Sequence, residues 1–328
     1  MKGGPDISVL VPVFNEVESL GELSQEIEAA CRAGGYSFEV LFVDDGSSDG
    51  SWEEIERLHS EDERFRGIRF RRNYGKSAAI AVGFEEVRGT YVVTMDADLQ
   101  DDPAEIPGLI AYLEDGYDLV SGWKKTRKDP FIKTVTSRFF NFTTRVVSGI
   151  PLHDFNCGLK AYQGTVVRRL KVYGEMHRYL PVLAKWEGFT HIAEKPVNHR
   201  RRKYGYTKFG LERFIRGFLD LISVVFLTRF AIRPMHFFGT LGTLSFLGGF
   251  GINLYLTIEW LGGQPIGRRP LLFLGMLLII LGVQLFSTGL LGERIIRPRM
   301  ENSVRYEILE RLTPSKPKDE PGDIGSAA

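Results

Sequence analysis

Gly89-Thr90-Tyr91-Val92-Val93-Thr94-Met95-Asp96-Ala97-Asp98-Leu99-Gln100 passes from a short apolar run straight into two carboxylates two positions apart. The run predicts a buried strand that ends at Asp96. Carboxylate oxygens suit Mg²⁺ or Mn²⁺, and Mg²⁺ commonly takes one or two protein carboxylates, filling its other positions with water and substrate phosphate. The stretch therefore points to a phosphorylated ligand. Its competitor is an ordinary solvated turn, since Asp is also a common turn residue.

The segments upstream weigh on that choice. Residues 7–13 and 38–43 are apolar, strand-like runs followed by Asn15 and by Asp44-Asp45-Gly46, and a further strand is expected at 67–70. Helical patterns at 17–33, 51–60 and 76–87 separate them. Apolar strands alternating with helices indicate an α/β domain with a mostly parallel sheet covered on both faces, whose ligands bind outside the carboxyl ends of the strands. Asn15, Asp44 and Asp96 all fall on that edge.

The 328 residues carry 42 Lys and Arg against 41 Asp and Glu, a balance that argues against a nucleic-acid partner. The average hides two apolar stretches, 235–260 and 271–291, both without Lys or Arg. Each is long enough to cross a hydrocarbon core of roughly 30 Å at about 1.5 Å per residue. Only Glu259 interrupts the first, at its end beside Trp260, where interface residues belong. A short loop rich in Gly and Pro joins the two, so a transmembrane hairpin is expected over 234–293 with both outer ends on one side.

Arg213, Arg216, Arg229 and Arg233 precede the hairpin, and Arg294, Arg297, Arg299 and Arg305 follow it. The positive-inside rule makes that side the cytoplasm, although Arg268 and Arg269 in the loop count the other way. The N-terminus lacks the apolar core of a signal peptide, which agrees with a cytoplasmic main domain over 1–208. Residues 209–233 are amphipathic and expected to lie in the interface plane. A cytoplasmic tail over 294–328 is expected to be partly disordered. Gly239, Gly242, Gly248, Gly249 and Gly251 allow close helix contact, either within the hairpin or between protomers of a homo-oligomer. Cys31 and Cys157 are too few for a disulfide framework and are expected in the core or near the site.

Three other patterns lead nowhere. Asp45 to Glu56 fits the spacing of an EF-hand loop, but a strand rather than a helix leads into it. Gly75-Lys76-Ser77 resembles the end of a P-loop, yet Phe70 stands where its first glycine belongs. Pro12-Val13-Phe14-Asn15-Glu16 follows strand one where a dinucleotide-binding fold of the oxidoreductase type has Gly-x-Gly-x-x-Gly.

Taken together, Val11-Pro12-Val13-Phe14-Asn15-Glu16, Val43-Asp44-Asp45-Gly46-Ser47, Asn73-x-Gly75-Lys76 and Asp96-Ala97-Asp98-Leu99-Gln100 resemble the inverting GT-A glycosyltransferases of family two. His153-Asp154-Phe155-Asn156-Cys157-Gly158-Leu159-Lys160 and Arg202-x-x-Gly205-x-Thr207-Lys208, followed by an amphipathic stretch and two spans, narrow the likeness. The chain is similar, over roughly residues 6 to 300, to the polyprenyl-phosphate glycosyltransferases, the group of dolichol-phosphate mannose synthases and bactoprenol glucosyltransferases. Thr207 replaces a common Ser and keeps the hydroxyl.

The resemblance implies a nucleotide-sugar site made of Pro12, Val13, Asn15, Glu16, Asp44, Asp45, Lys76, Asp96, Ala97, Asp98, Arg202 and Lys208. Asp44 would recognise the nucleoside, and Arg202 and Lys208 would close on the diphosphate. Mg²⁺ or Mn²⁺ would be held by Asp98 with Asp96 and Gln100, although Asp96 is equally suited to the ribose side. The alternative for Arg202 and its neighbours 199–203 is a basic patch that attracts anionic lipid. Lys124, Arg127, Lys133 and Ser137 would grasp the phosphate of a polyprenyl phosphate held in the bilayer. Asp154 is the implied base, but a phosphate monoester is largely deprotonated at neutral pH, so orientation is as good a role for it as proton abstraction. Asp154, Asp98 and Arg202 would thus be catalytic in single-sugar transfer, with UDP-glucose the preferred donor and GDP-mannose an alternative. A processive polysaccharide synthase is the competing enzyme, though the Gln-x-x-Arg-Trp motif of such synthases is absent. A non-catalytic sugar-nucleotide-binding module is the third reading.

Overall fold

The computed structural model describes residues 4–125, 141–146, 148–172, 176–200, 203, 234–265, 269–299 and 308–312. They form two compact units, one of residues 1–211 with 305–328 and one of residues 212–304.

In the first unit, β1 (Ile7–Val13), α1 (Val17–Ala33), β2 (Phe38–Asp44), α2 (Ser51–Glu61), β3 (Phe65–Phe70), α3 (Lys76–Glu86) and β4 (Tyr91–Thr94) alternate as the apolar pattern predicts. A 3₁₀ turn at Pro103–Glu105, α4 (Ile106–Glu114), β5 (Leu119–Trp123), β6 (Lys160–Gln163), α5 (Gly164–Val167), α6 (Leu180–Trp186) and β7 (Ile192–Pro196) follow. The final strand, β8 (Ile308–Leu312), comes after the apolar helices. The sheet order is β7-β5-β6-β4-β1-β2-β3-β8. β1 lies parallel to both β2 and β4, while β6 is antiparallel to β4 and β5.

Residues Ile7 to Val11 are buried on both faces of the sheet, which is why β1 reads as a continuous apolar run rather than an alternating one. Leu20, Leu23, Ile27 and Cys31 line the buried stripe of α1, and Trp52, Ile55 and Leu58 that of α2. Burying a side chain such as Leu23 or Ile27 contributes about 1.5–3 kcal/mol, so these two stripes fix their helices to one face. Cys31 and Cys157 are free and buried in this core, as expected. At the amino edge, Arg66 pairs with Glu39 at 2.8 Å inside the protein, and the Ser8 hydroxyl donates to Glu39 at 2.6 Å.

The order of strands reverses direction at β1: β2 and β3 build outward on one side, and β4 returns on the other. A crevice forms outside the carboxyl ends at such a switch point. The loops after β1 and β4 carry Asn15 and Asp96 to it, and Asp44, the last residue of β2, is buried at the same edge.

The sequence by itself predicts no strand at 308–312. β8 pairs antiparallel with β3, with Arg69 opposite Glu310 and Gly67 opposite Leu312. The chain thus returns to the edge of the catalytic sheet after its apolar helices.

The second unit is a helical pair, α7 (Pro234–Leu261) and α8 (Pro270–Arg299). Met235–Leu261 and Pro270–Gly292 are long and apolar enough to cross a membrane. Leu244, Phe250, Ile258, Leu277 and Ile280 are exposed on them, unlike the core helices of a soluble domain. A Cβ on Gly249 would fall 2.5 Å from the Gly275 carbonyl, and one on Gly242 would fall 2.7 Å from the Gly282 carbonyl. Those two glycines therefore seat the helices backbone to backbone. Gly248 and Gly251 face open space, and Gly239 meets the side chain of Met235 on its own helix. The amphipathic stretch 209–233 lies outside the described residues.

Candidate active site

The site is built outward from three strand ends. After β1, Asn15 adopts a left-handed φ of 55°, its N–H donates to the Ser47 hydroxyl at 2.9 Å, and its side-chain oxygen accepts from the Ser48 N–H at 2.9 Å. Asn tolerates that conformation better than most residues, so the first loop is tied to the second. Asp49 completes the join, accepting from the N–H of Val17 at 3.1 Å and of Ser51 at 3.0 Å. The Asp45-to-Glu56 segment is consequently a loop into α2 held by Asp49, not a cation loop.

Asp45 and Asp44 divide their work. The Asp45 carboxylate accepts from the backbone N–H of Tyr74 at 2.6 Å and of Gly75 at 2.8 Å, stapling the loop before α3. Asp44 is fully buried: Oδ1 accepts from the Ser47 N–H at 3.0 Å, and Oδ2 lies 3.6 Å from Arg69 Nε with no hydrogen-bond donor on it among the described residues. Burial pushes the Asp44 carboxyl up, and Ser47 and Arg69 oppose that. A buried acceptor left without a donor is costly, and a ligand N–H or O–H from a base edge or ribose would satisfy it.

On the other side of β1, Asp96 meets Lys76 from the start of α3, whose ammonium donates to Oδ1. Burial works against the charge of Asp96, but Lys76 and Lys124 outweigh it and hold the carboxyl down to about 2. Gly158 closes over this group, for a Cβ there would lie 2.7 Å from the Asp96 carboxylate. Leu99, buried with a left-handed φ of 57°, turns the chain between Asp98 and Gln100. Such a conformation costs about 1–3 kcal/mol for a non-glycine residue. The Gln100 N–H donates to Asp98 Oδ1 at 3.2 Å, and the Gln100 carbonyl accepts from the Arg200 N–H at 2.9 Å.

Asp154, buried just before β6, accepts on Oδ1 from the Asn156 N–H at 3.1 Å, and its carbonyl accepts from the Ser121 hydroxyl of β5. Lys160 Nζ donates to the Cys157 carbonyl, and its burial lowers the ammonium pKa. The Cys157 thiol is pushed up to about 12 by burial, so it is no nucleophile. His177 shares a 2.9 Å hydrogen bond between its Nδ1 and the Ser77 hydroxyl, and burial with nearby Lys76 and Arg178 drives its pKa to about 3. It is a neutral imidazole at physiological pH. Nothing in the spacing of Ser77 and His177, a hundred residues apart, could have brought them together on paper.

Several expected cations are paired inside the protein. Lys124 sits 2.6 Å from buried Asp101; burial works against its charge, and Asp101 holds it in place. Among the described members of 199–203, His199 is buried, Arg200 binds Glu26 at 2.7 Å and Asp102 at 2.8 Å, and Lys203 binds Glu22 at 2.6 Å, so these cations have acidic partners within the protein. Their acidic partners on α1 and the Asp101-Asp102 turn were not legible in a linear run of basic residues. Arg202, Lys208, Arg127, Lys133 and Ser137 lie outside the described residues. Pro12, Val13, Glu16 and Ala97 line the same edge as Asn15 and Asp96.

Among the described residues, no cluster of three or more His, Cys, Asp or Glu side chains is arranged to hold a metal ion by itself. The donor set on the Asp96–Gln100 turn is two carboxylates and an amide oxygen, which fits Mg²⁺ or Mn²⁺ completed by phosphate oxygens. Lys76 already pairs with Asp96, so an ion bound at this turn has to share or displace that contact.

Comparison with known proteins places this geometry. The profile of glycosyl transferase family 2 matches residues 8–170. A dodecaprenyl-phosphate galacturonate synthase from Rhizobium johnstonii is 37% identical over 302 residues, covering 89% of this chain and 88% of the relative. Among solved structures, glucosyl-3-phosphoglycerate synthase from Mycobacterium tuberculosis, in complex with Mn²⁺ and UDP-glucose, superimposes with a TM-score of 0.54 at 18% identity, covering 69% of this chain and 79% of that one. The same enzyme in complex with UDP gives a TM-score of 0.53 at 19% identity, with 69% and 80% covered. The acidic edge at the switch point and a relative spanning nearly the whole chain lead to one conclusion: the chain belongs to glycosyl transferase family 2, among the polyprenyl-phosphate glycosyltransferases of GT-A fold.

Proposed function

We propose that the protein transfers one sugar from a UDP-sugar to polyprenyl phosphate at the cytoplasmic face of a membrane, with inversion at the anomeric carbon. The observation that supports a nucleotide-sugar donor is the buried Asp44 oxygen without a donor among the described residues, separated from the strand that leads into the Asp96–Gln100 turn by β1 alone. A nucleoside bound at Asp44 has its diphosphate directed along the same edge. The acceptor assignment rests on likeness to the dodecaprenyl-phosphate enzyme and on the two apolar helices.

In this reading an acceptor phosphate oxygen forms a bond to the anomeric carbon from the face opposite the leaving group. The bond from that carbon to the diphosphate breaks, and its electron pair remains on the departing UDP. The phosphate nucleophile is largely ionised at neutral pH, so Asp154 orients the acceptor and takes a proton from the fraction that still carries one. Asp98 and Gln100, with Asp96, would hold Mg²⁺ or Mn²⁺. That ion supplies charge stabilisation to the departing diphosphate. Lys76 fixes Asp96, while Arg202 and Lys208 close on the diphosphate and Lys133 and Ser137 on the acceptor phosphate. Lys124, paired with Asp101, holds the site's frame, and its ammonium bears on Asp96.

The cytoplasmic orientation is supported by the flanking arginines; the chain leaves the catalytic sheet after β7 and rejoins it at β8, which ties both outer ends of the hairpin to the sheet's side. Arg269, one of the two arginines that count against it, pairs with Glu259 at 3.4 Å.

The motif reading favours glucose, whereas the relative at 37% identity is a galacturonate synthase, so UDP-galacturonic acid is the donor we place first. Membranes containing the full chain and a polyprenyl phosphate, offered radiolabelled UDP-galacturonic acid, UDP-glucose and GDP-mannose in turn, test this. Formation of one lipid-linked monosaccharide from a UDP-sugar is expected. Extension to a polymer, or transfer from GDP-mannose alone, would reject it.

A further inference from the structure

We infer that Glu310 of β8 is a positioning residue for the nucleoside site, acting through Trp52 and Arg69 on Asp44; the inference rests on the reading of Asp44 as the nucleoside acceptor. Three cross-strand neighbours form one lateral row. Asp44 of β2 is in register with Arg69 of β3, and Arg69 is in register with Glu310 of β8. Directly opposed residues of adjacent strands project on the same face, so Arg69 stands between Asp44 and Glu310 in the row.

Trp52 of α2 covers this row. Its indole N–H donates to Glu310 Oε2 at 2.9 Å, and the Arg69 guanidinium lies 5.7 Å from its ring centroid. Trp52 is buried, so its indole N–H needs an acceptor, and Glu310 provides one. The indole held in that orientation presents its ring to Arg69, and Arg69 in turn faces Asp44 Oδ2 at 3.6 Å. The length of that contact leaves the oxygen able to accept from a ligand while the guanidinium stabilises its charge. Without Glu310, the indole loses its orienting partner, and the ring that faces Arg69 is no longer held in place.

The arrangement has a topological consequence. β1 to β7 precede the apolar helices in sequence and β8 follows them. The donor edge is therefore complete only in a chain that has been made through its hairpin and folded back onto β3.

Glu310→Ala in the full-length protein tests the inference, with initial rates measured against donor and acceptor separately and UDP binding measured by calorimetry. The expected result is a rise of about three- to tenfold in donor KM and in UDP Kd, the scale of one hydrogen bond, with kcat and acceptor KM at wild-type values. Glu310→Gln keeps an oxygen acceptor for the indole and returns donor KM to within about twofold of wild type. Trp52→Phe, which removes the indole donor, raises donor KM similarly, and combining it with Glu310→Ala adds less than the product of the two effects. Unchanged donor KM and UDP Kd in Glu310→Ala would overturn the inference, as would a parallel fall in kcat, acceptor affinity and thermal stability. Wild-type protein that binds no UDP would overturn the reading of Asp44 beneath it, an outcome separable from failure of Glu310 alone.

Discussion

Gly158 lies so close to Asp96 that a Cβ built on it would sit 2.7 Å from the carboxylate carbon and from each of its two oxygens. The glycine is thus a wall of the acidic turn. Gly158→Ala displaces the carboxylate by several tenths of an ångström or more, and misplacing a reacting group by about 1 Å costs on the order of 10²-fold in rate. We expect Gly158→Ala to lower kcat by about 10- to 100-fold with little change in thermal unfolding. A rate within twofold of wild type would show that Asp96 can retreat without loss.

Asp98→Ala removes one of the two carboxylates on the Asp96–Gln100 turn. Transfer by the wild type is expected to stop on treatment with EDTA and return on adding Mn²⁺ or Mg²⁺. Asp98→Ala is expected to remain inactive at every metal concentration, and full activity in that variant would reject the metal assignment.

Asp44→Asn separates binding from stability. Burial raises the Asp44 carboxyl above its ordinary 3.8. A carboxyl with a raised folded-state pKa favours folding below its unfolded pKa and loses that contribution as pH rises through the folded value. At neutral pH the ionised side chain therefore costs stability, which the amide does not. The variant is expected to melt higher than the wild type at pH 7, by an amount that shrinks toward acid pH, and to bind UDP at least about tenfold more weakly, the scale of a lost charged hydrogen bond. Calorimetry in both senses checks it; unaltered UDP affinity would remove Asp44 from the site.

In the hairpin, Gly249→Ala and Gly251→Ala should affect stability differently. A methyl group at 249 strikes the Gly275 carbonyl and the Ile279 N–H, at 2.5 and 2.8 Å, while one at 251 meets nothing within 4 Å. Overpacking costs about 1–3 kcal/mol, whereas Ala in place of an open helical Gly gains up to about 1 kcal/mol. Unfolding in detergent, followed by circular dichroism, is expected to show Gly249→Ala destabilised and Gly251→Ala unchanged or improved. Equal effects would contradict the described packing of α7 on α8.

Local chemistry explains what was legible before any coordinates. Buried parallel strands must be apolar throughout, so β1, β2 and β4 announce themselves, and helices with one buried stripe show a 3.6-residue period, so α1 and α2 could be placed to within a residue or two. The strand ends then put Asn15, Asp44 and Asp96 on one edge by topology alone, and the two apolar helices follow from length and composition. Partnerships between distant residues were not legible, because a charge in a sequence does not say what will neutralise it. Lys124 read as a phosphate ligand and is held by Asp101; Arg200 read as part of a basic patch and is clamped by Glu26 and Asp102. β8 was hidden for a related reason: its sequence Ile308-Leu309-Glu310-Arg311-Leu312 is too short and too charged to declare itself a strand. Only the open edge of β3, created by the fold of the preceding chain, gives that segment hydrogen bonds to make and sets Glu310 beside Arg69.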